Sequence, residues 1–238
     1  MTTLLTDPAS EAARQPERVP LKGLRGAIAR NMTAGWQAPR VAMAVDVDMT
    51  RTLAHLETLR AQSTAEDRPT VTAFVLHAAA AALRAHPRMN ALMREGGIEL
   101  APRVNVGLAV SIDGGLAVPV IHDADTLSVR QLSAHTRVLA TAARGGTLPQ
   151  KAFQGGTFTV TNLGMTGIDW FSPILNPPQV GILGVSRVAQ RPVVRAGQIV
   201  PASMTTLTLV FDHRAIDGHP AALFLDEIRR LLEEPAQP

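Results

Sequence analysis

MTTLTLVFDHRAIDGHPAALFLDEIRRLLEE, residues 204–234, carries a strand, a turn and a helix in one stretch. Residues 204–211 are an apolar run rich in β-branched and aromatic side chains, which predicts a buried strand. Residues 220–233 repeat apolar side chains at helical spacing, with Leu223, Phe224, Ile228, Leu231 and Leu232 as the predicted inward face. Between the two lie His213, Asp217 and Gly218. A histidine at the end of a strand, with an acid four residues later, has the makings of a general base. Imidazole exchanges protons near neutrality, and a neighbouring carboxylate fixes its tautomer or braces its turn. Both residues also have plain structural uses. His213 fits a structural histidine, and Asp217 ahead of Gly218 and Pro220 fits a helix N-cap.

Upstream, Thr161-Asn162-Leu163-Gly164 closes a strand predicted over 157–161. A hydroxyl at that place either donates to a developing oxyanion or shapes the turn. Further strands are predicted at 41–47, where Val41, Met43, Val45 and Val47 alternate, and at 98–100, 104–112, 116–121, 180–185 and 192–195. Asp113-Gly114-Gly115 reads as a hairpin turn. Helices are predicted around Leu24, Ile28 and Met32, and around Leu53, Leu56 and Leu59 with Thr50 or Thr52 as cap. Two more span 71–85, apolar over most of its circumference and so deeply placed, and 128–143, stopped by Gly145-Gly146. The stretch 164–179, with its glycines, prolines and Trp170, reads as irregular loop. Without strict βαβ alternation, the pattern predicts an α/β two-layer sandwich, a mixed β-sheet covered by helices on one face.

At 238 residues, 46% apolar and 18% charged, the chain is a globular protein of one domain's size. Aromatics are only 3%, with no Tyr, so Val, Leu, Ile, Ala and Met must fill the core. Its arginines are spread out and not interleaved with aromatics, against a nucleic-acid interface. The absence of Cys removes thiol nucleophiles, disulfides and thiolate metal sites. His55, His77, His86, His122, His135 and His219 show no ligand spacing, so no metal is expected. No apolar run is long enough to span a bilayer and no signal sequence is seen, so the expectation is a cytoplasmic protein without a membrane partner. Neither Gly145-Gly146 nor Gly155-Gly156 has phosphate-loop spacing. Residues 1–18 read as a flexible N-terminal arm, and 19–238 as the single domain. A base and a hydroxyl donor without a thiol or activated serine point to direct transfer between two substrates.

Six blocks occur in order: "VPLKGLRGAIARNM", "VDVDMTRTLAHLETLR", "HPRMNA", "VNVGLAVSIDGGLAVPVIHDAD", "GGTFTVTNLGMTGIDWFSPILNPPQVGILGV" and "MTTLTLVFDHRAIDGHPAALFLDEIRRLLEEP". Together they resemble the catalytic domain of the dihydrolipoamide acyltransferase component of 2-oxoacid dehydrogenase complexes, a family that shares its fold with chloramphenicol acetyltransferase. The resemblance implies that His213 is the general base. It takes a proton from the thiol of coenzyme A or, in reverse, of dihydrolipoamide, free or supplied by a lipoyl carrier protein. It also implies that Thr161 stands where the family places an oxyanion hydroxyl, usually a serine. Asp217 would hold the histidine loop, paired with Arg25 or Arg30 and supported by Gly218, and Met165, Trp170 and Phe171 would belong to the substrate pocket.

As partners the resemblance implies dehydrogenase components and a homotrimer with its active site between subunits. Departures are Pro39-Arg40 where the family usually has Pro-His, the lack of lipoyl and peripheral-subunit-binding domains, and no apolar C-terminal tail, so a trimer without a larger cage is expected. The alternatives are a stand-alone transferase like chloramphenicol acetyltransferase, acting from acyl-CoA on a hydroxyl or amine, and a non-catalytic trimeric scaffold.

Overall fold

A computed structural model describes residues 18–64 and 67–235; the arm expected over 1–18 lies outside them except for Arg18. The chain runs α1 (Gly23–Gln37), β1 (Arg40–Asp48), α2 (Thr50–Ala61), α3 (Val71–Ala85), β2 (Ala91–Arg94) and β3 (Gly97–Leu100). It continues through β4 (Val106–Ile112), β5 (Gly115–Ala117), β6 (Val120–Ile121), α4 (Val129–Arg144) and β7 (Phe158–Asn162). The last elements are β8 (Gly181–Val185), β9 (Ala189–Arg195), β10 (Gln198–Asp212) and α5 (Gly218–Glu233). Eight strands form one sheet in the order β1-β10-β8-β7-β4-β5, with β9 paired to β10 and β6 to β4, while β2 and β3 make a separate ribbon. The β4–β7 and β7–β8 pairs are parallel and β1, β10 and β8 are mutually antiparallel, so the sheet is mixed as expected.

Local chemistry accounts for most boundaries. Thr70 caps α3 by accepting from Ala73 N at 3.2 Å, and Ser128 with Gln131 forms a capping box on α4. The cap of α2 is a correction. Asp48 accepts from Thr50 N at 3.0 Å, while the buried Thr52 hydroxyl donates to the Leu232 carbonyl and ties α2 to α5. The strand expected at 116–121 is broken at Pro119, whose carbonyl accepts from Leu108 N. β10 begins at 198, earlier than expected, because Pro201 stands opposite Pro192 on a hairpin where neither missing N–H breaks a bond in the central sheet. On α5, Leu223 is half exposed and Leu225 takes the buried place assigned to it.

Four helices, α2 to α5, cover one face of the sheet, and the aromatic pair Phe158–Phe224 (centroids 5.7 Å apart) joins β7 to α5 within that layer. The expectation that helices occupy only one face is corrected by α1, which lies across the other. Successive side chains of a strand point to opposite faces. Phe158 and Val160 therefore enter the helix-covered core, while Thr159 and Thr161 share a cavity wall with Ala27, Ile28 and Met32 of α1. Gly35 lets α1 press directly onto the Leu175 carbonyl, where a Cβ has no room. No helix among the described residues is long and apolar enough to cross a membrane.

Candidate active site

The turn that follows β10 is built around Asp212. As the last residue of the strand it pairs with Arg40 in the ladder, and its N–H donates to the Val180 carbonyl at 2.9 Å. Its side chain is 3% exposed and accepts from Arg214 N at 3.0 Å, from Arg214 Nε at 3.0 Å and from Nη2 at 2.6 Å. That bidentate bond raises the pKa of the Arg214 guanidinium. Ala215 N and Ile216 N both donate to the Asp212 carbonyl, and His213 N donates to the Pro39 carbonyl at 2.9 Å. Backbone and ion pair thus fix the turn while leaving the imidazole free.

The His213 ring leans on Phe211 with centroids 5.9 Å apart, and its side chain is 46% exposed. Its Nδ1 lies 3.8 Å from Asp217 Oδ1, beyond hydrogen-bonding distance. Asp217 occupies the N-cap position of α5, yet its side chain makes no cap hydrogen bond and is 83% exposed. Among the described residues neither Arg25 nor Arg30, both on α1, forms an ion pair with it. Within one chain the side chain that holds the histidine loop is Asp212, and Asp217, expected as its brace, makes no hydrogen bond there. The physical reason is placement. Asp212 belongs to a strand whose ladder sets its direction, whereas Asp217 opens a helix at the surface. Gly218 starts α5 above β1, close to Met43. Arg40, where the family pattern has histidine, lays its guanidinium 3.3 Å from the ring centre of Trp36.

Thr161 lies near the far end of β7. The turn after it is closed by Asn162, which accepts from Gly164 N at 2.7 Å and donates to Thr72 Oγ1 at 2.9 Å, so Thr161 is not the residue that makes the turn. Its side chain lines a cavity of about 430 Å³ whose walls are mainly apolar, including Ile28, Met32, Val118, Phe171 and Ile182. Of the three pocket residues expected from sequence, Phe171 is in that wall; Met165 (85% exposed) and Trp170 (54% exposed) are not. The loop carrying them is anchored by Asp169, which accepts from Arg187 Nε at 2.8 Å and from Arg191 at 3.2 Å. Those arginine bonds hold the Asp169 carboxyl below its usual pKa.

Phe171 keeps its place because residue 184 has no side chain: a Cβ there would lie 3.0 Å from the ring's Cζ and 3.3 Å from Pro173 Cδ. Gly184→Ala is expected to push the ring off the sheet and cost about 1–3 kcal/mol, the usual range for overpacking. A thermal melt checks this, and an unchanged midpoint would show that the ring yields freely.

Register separates the two chemical groups within one chain. Thr161 is level with Gly184, and Gly184 with Thr208. His213 lies five residues further along β10, in the direction away from the end of β7. At about 3.4 Å per residue that is about 17 Å along the strands, with two interstrand steps of about 4.8 Å besides. In one subunit the imidazole and the hydroxyl thus stand far apart.

Sequence reasoning missed Asp212–Arg214, which local spacing could have exposed as an acid and a base flanking the histidine. It also missed Asn31 and Asn176, which lie in the cavity wall and are bonded to each other across 145 positions.

The family model described as "2-oxoacid dehydrogenases acyltransferase (catalytic domain)" matches residues 13–238. The chain is 40% identical over 236 residues to the dihydrolipoyllysine-residue acetyltransferase component of the acetoin cleaving system of Bacillus subtilis (strain 168), covering 96% of this chain and 58% of that protein. It thus spans only about half the length of the curated relatives it matches. Among solved structures it is similar to the dihydrolipoamide acetyltransferase of Azotobacter vinelandii, with TM-score 0.88 and 31% identity over 98% of both chains. That structure was solved to examine the catalytic roles of a serine, a histidine 52 residues after it and an asparagine four residues further on. Chloramphenicol acetyltransferase, at TM-score 0.53 and 16% identity over 85% of this chain and 94% of that one, shares the fold.

Proposed function

Because this chain belongs to the family of 2-oxoacid dehydrogenase acyltransferase catalytic domains, we propose that it moves an acyl group between coenzyme A and dihydrolipoamide, free or borne by a lipoyl carrier protein that dehydrogenase components load. The observation that carries this reading is spacing. Thr161, His213 and Asp217 are separated by 52 and four residues, the separations of the serine, histidine and asparagine studied in the Azotobacter enzyme.

The chemistry follows from the groups present. A thiol with a pKa of about 8.5 is mostly protonated at neutral pH, and the thiolate is the nucleophile. With Nδ1 of His213 turned toward Asp217, Nε2 is left to take the thiol proton. The thiolate attacks the thioester carbonyl carbon, and the C=O electron pair moves onto oxygen. The Thr161 hydroxyl donates to that oxyanion. Collapse re-forms the carbonyl and breaks the bond to the departing sulfur, which receives the proton back from the imidazolium. No covalent enzyme intermediate is needed, in keeping with a chain that has no cysteine.

The separation of Thr161 and His213 supports a site shared between subunits of a homotrimer, the hydroxyl from one and the imidazole from the next. Mixing subunits tests this. Thr161→Val and His213→Ala proteins, each nearly inactive, should recover about a quarter of wild-type activity when unfolded together and refolded in equal amounts, because random assembly in a closed ring leaves that share of interfaces intact. Release of CoA from acetyl-CoA with dihydrolipoamide is the readout. No recovery from a properly assembled mixture would place both groups in the same subunit and sink the shared site.

A further inference from the structure

The cavity beside Thr161 is not uniformly apolar. Asn31 of α1 donates from Nδ2 to Asn176 Oδ1 at 2.8 Å. Asn176 in turn donates to Thr159 Oγ1 at 3.4 Å, and the Thr159 hydroxyl donates to Gln179 Oε1 at 2.5 Å. Asn31, Asn176 and Thr159 all line the cavity, and Thr159 lies one pleat repeat further from the turn than Thr161 on the same face of β7. A side-chain amide has two donor hydrogens and an oxygen with two lone pairs. The bond to Asn176 uses one N–H of Asn31, and its Oδ1 and second N–H are not needed for it. Asn176 likewise has a second N–H. The wall therefore holds both an acceptor and donors among apolar side chains such as Phe171 and Ile182.

We propose that the Asn31–Asn176 pair recognises the amide at the end of the lipoyl chain, with the substrate N–H donating to Asn31 Oδ1 and its carbonyl accepting from an asparagine N–H. The assignment rests on the acyl-transfer reading above and adds which part of the acceptor is read. Dihydrolipoamide has a dithiol at its reacting end, then a hydrocarbon chain and an amide, and the cavity offers Thr161, apolar side chains such as Phe171 and Ile182, and the Asn31–Asn176 pair. Pantetheine also carries chain amides, so the test must separate it from the lipoyl chain.

The test compares two acceptors in the same enzyme preparation: dihydrolipoamide, and a plain propanedithiol that has neither chain amide nor carboxyl. The ratio of their kcat/KM values cancels any general loss of folded enzyme. Asn31→Leu, close to asparagine in size, should lower that ratio about tenfold, the effect of one ordinary hydrogen bond. The loss should appear in KM for dihydrolipoamide, with KM for acetyl-CoA left alone. An unchanged ratio, or a rise in KM for acetyl-CoA instead, overturns amide recognition while leaving acyl transfer standing. Failure of the wild-type protein to acylate either dithiol overturns the acyl-transfer reading itself.

Discussion

His213→Ala is expected to lower the rate of acyl transfer from acetyl-CoA to dihydrolipoamide by about 10² to 10⁴, the contribution of a well-placed general base. The loss should fall on kcat, because the imidazole meets the thiol proton rather than the body of either substrate. The fold gives little reason to expect instability. The ring is half exposed, leans on Phe211, and makes no side-chain hydrogen bond within 3.5 Å to Asp217. What shapes the turn is independent of it: the Asp212–Arg214 pair and the backbone bond from His213 N to Pro39, which alanine retains. A thermal melt on the same sample separates the effects. A variant that melts like the wild type and still transfers acyl groups within a few-fold of its rate would remove His213 from the chemistry.

Thr161→Val should lower kcat by about 10² to 10³, the usual consequence of deleting one oxyanion donor. Valine has the same branched shape, so the wall beside Phe171 and Ile182 stays filled and the change is confined to the hydroxyl. Thr161→Ser completes the experiment. Serine restores the donor, removes a methyl group and frees χ1, which β-branching restricts. Activity of the serine variant near that of the wild type, against a nearly silent valine variant, identifies hydrogen bonding as the cause. Equal loss in both would mean that Thr161 acts through packing, and the oxyanion role would fall.

Much of this architecture was legible in the amino-acid order because its local signals agree. Asp113-Gly114-Gly115 makes the expected turn between β4 and β5, and Gly114 has the positive φ of +74° that favours glycine. Helix α3 is apolar nearly all round and is indeed enclosed, with nine of its fifteen residues buried. The failures have equally local reasons. β2, within Met89 to Arg94, has no alternation to mark it, and it exists because the ribbon partner β3 and an isolated bridge from Leu92 to Gln179 supply the hydrogen bonds. The early part of β10 is hidden by Pro201, which only the facing Pro192 makes harmless.

At the site, the spacing from His213 to Asp217 is visible in the chain, whereas the second carboxylate beside the histidine, Asp212, shows its part only in the fold. In chain order the two acids look alike. In space one is buried against Arg214 and the other is bathed in solvent. The Asn31–Asn176 bond spans the fold and has no local signature at all.

One feature of the cavity gives binding and turnover different requirements. Ile28, Asn31, Phe171 and Ile182 of one chain already form much of its wall, and His213 of that chain is not among them. If the imidazole arrives from a neighbour, a lone subunit is a receptor before it is an enzyme: it holds its acceptor but has nothing to ignite the exchange. Diluting the protein until subunits part should then silence turnover while acceptor affinity survives.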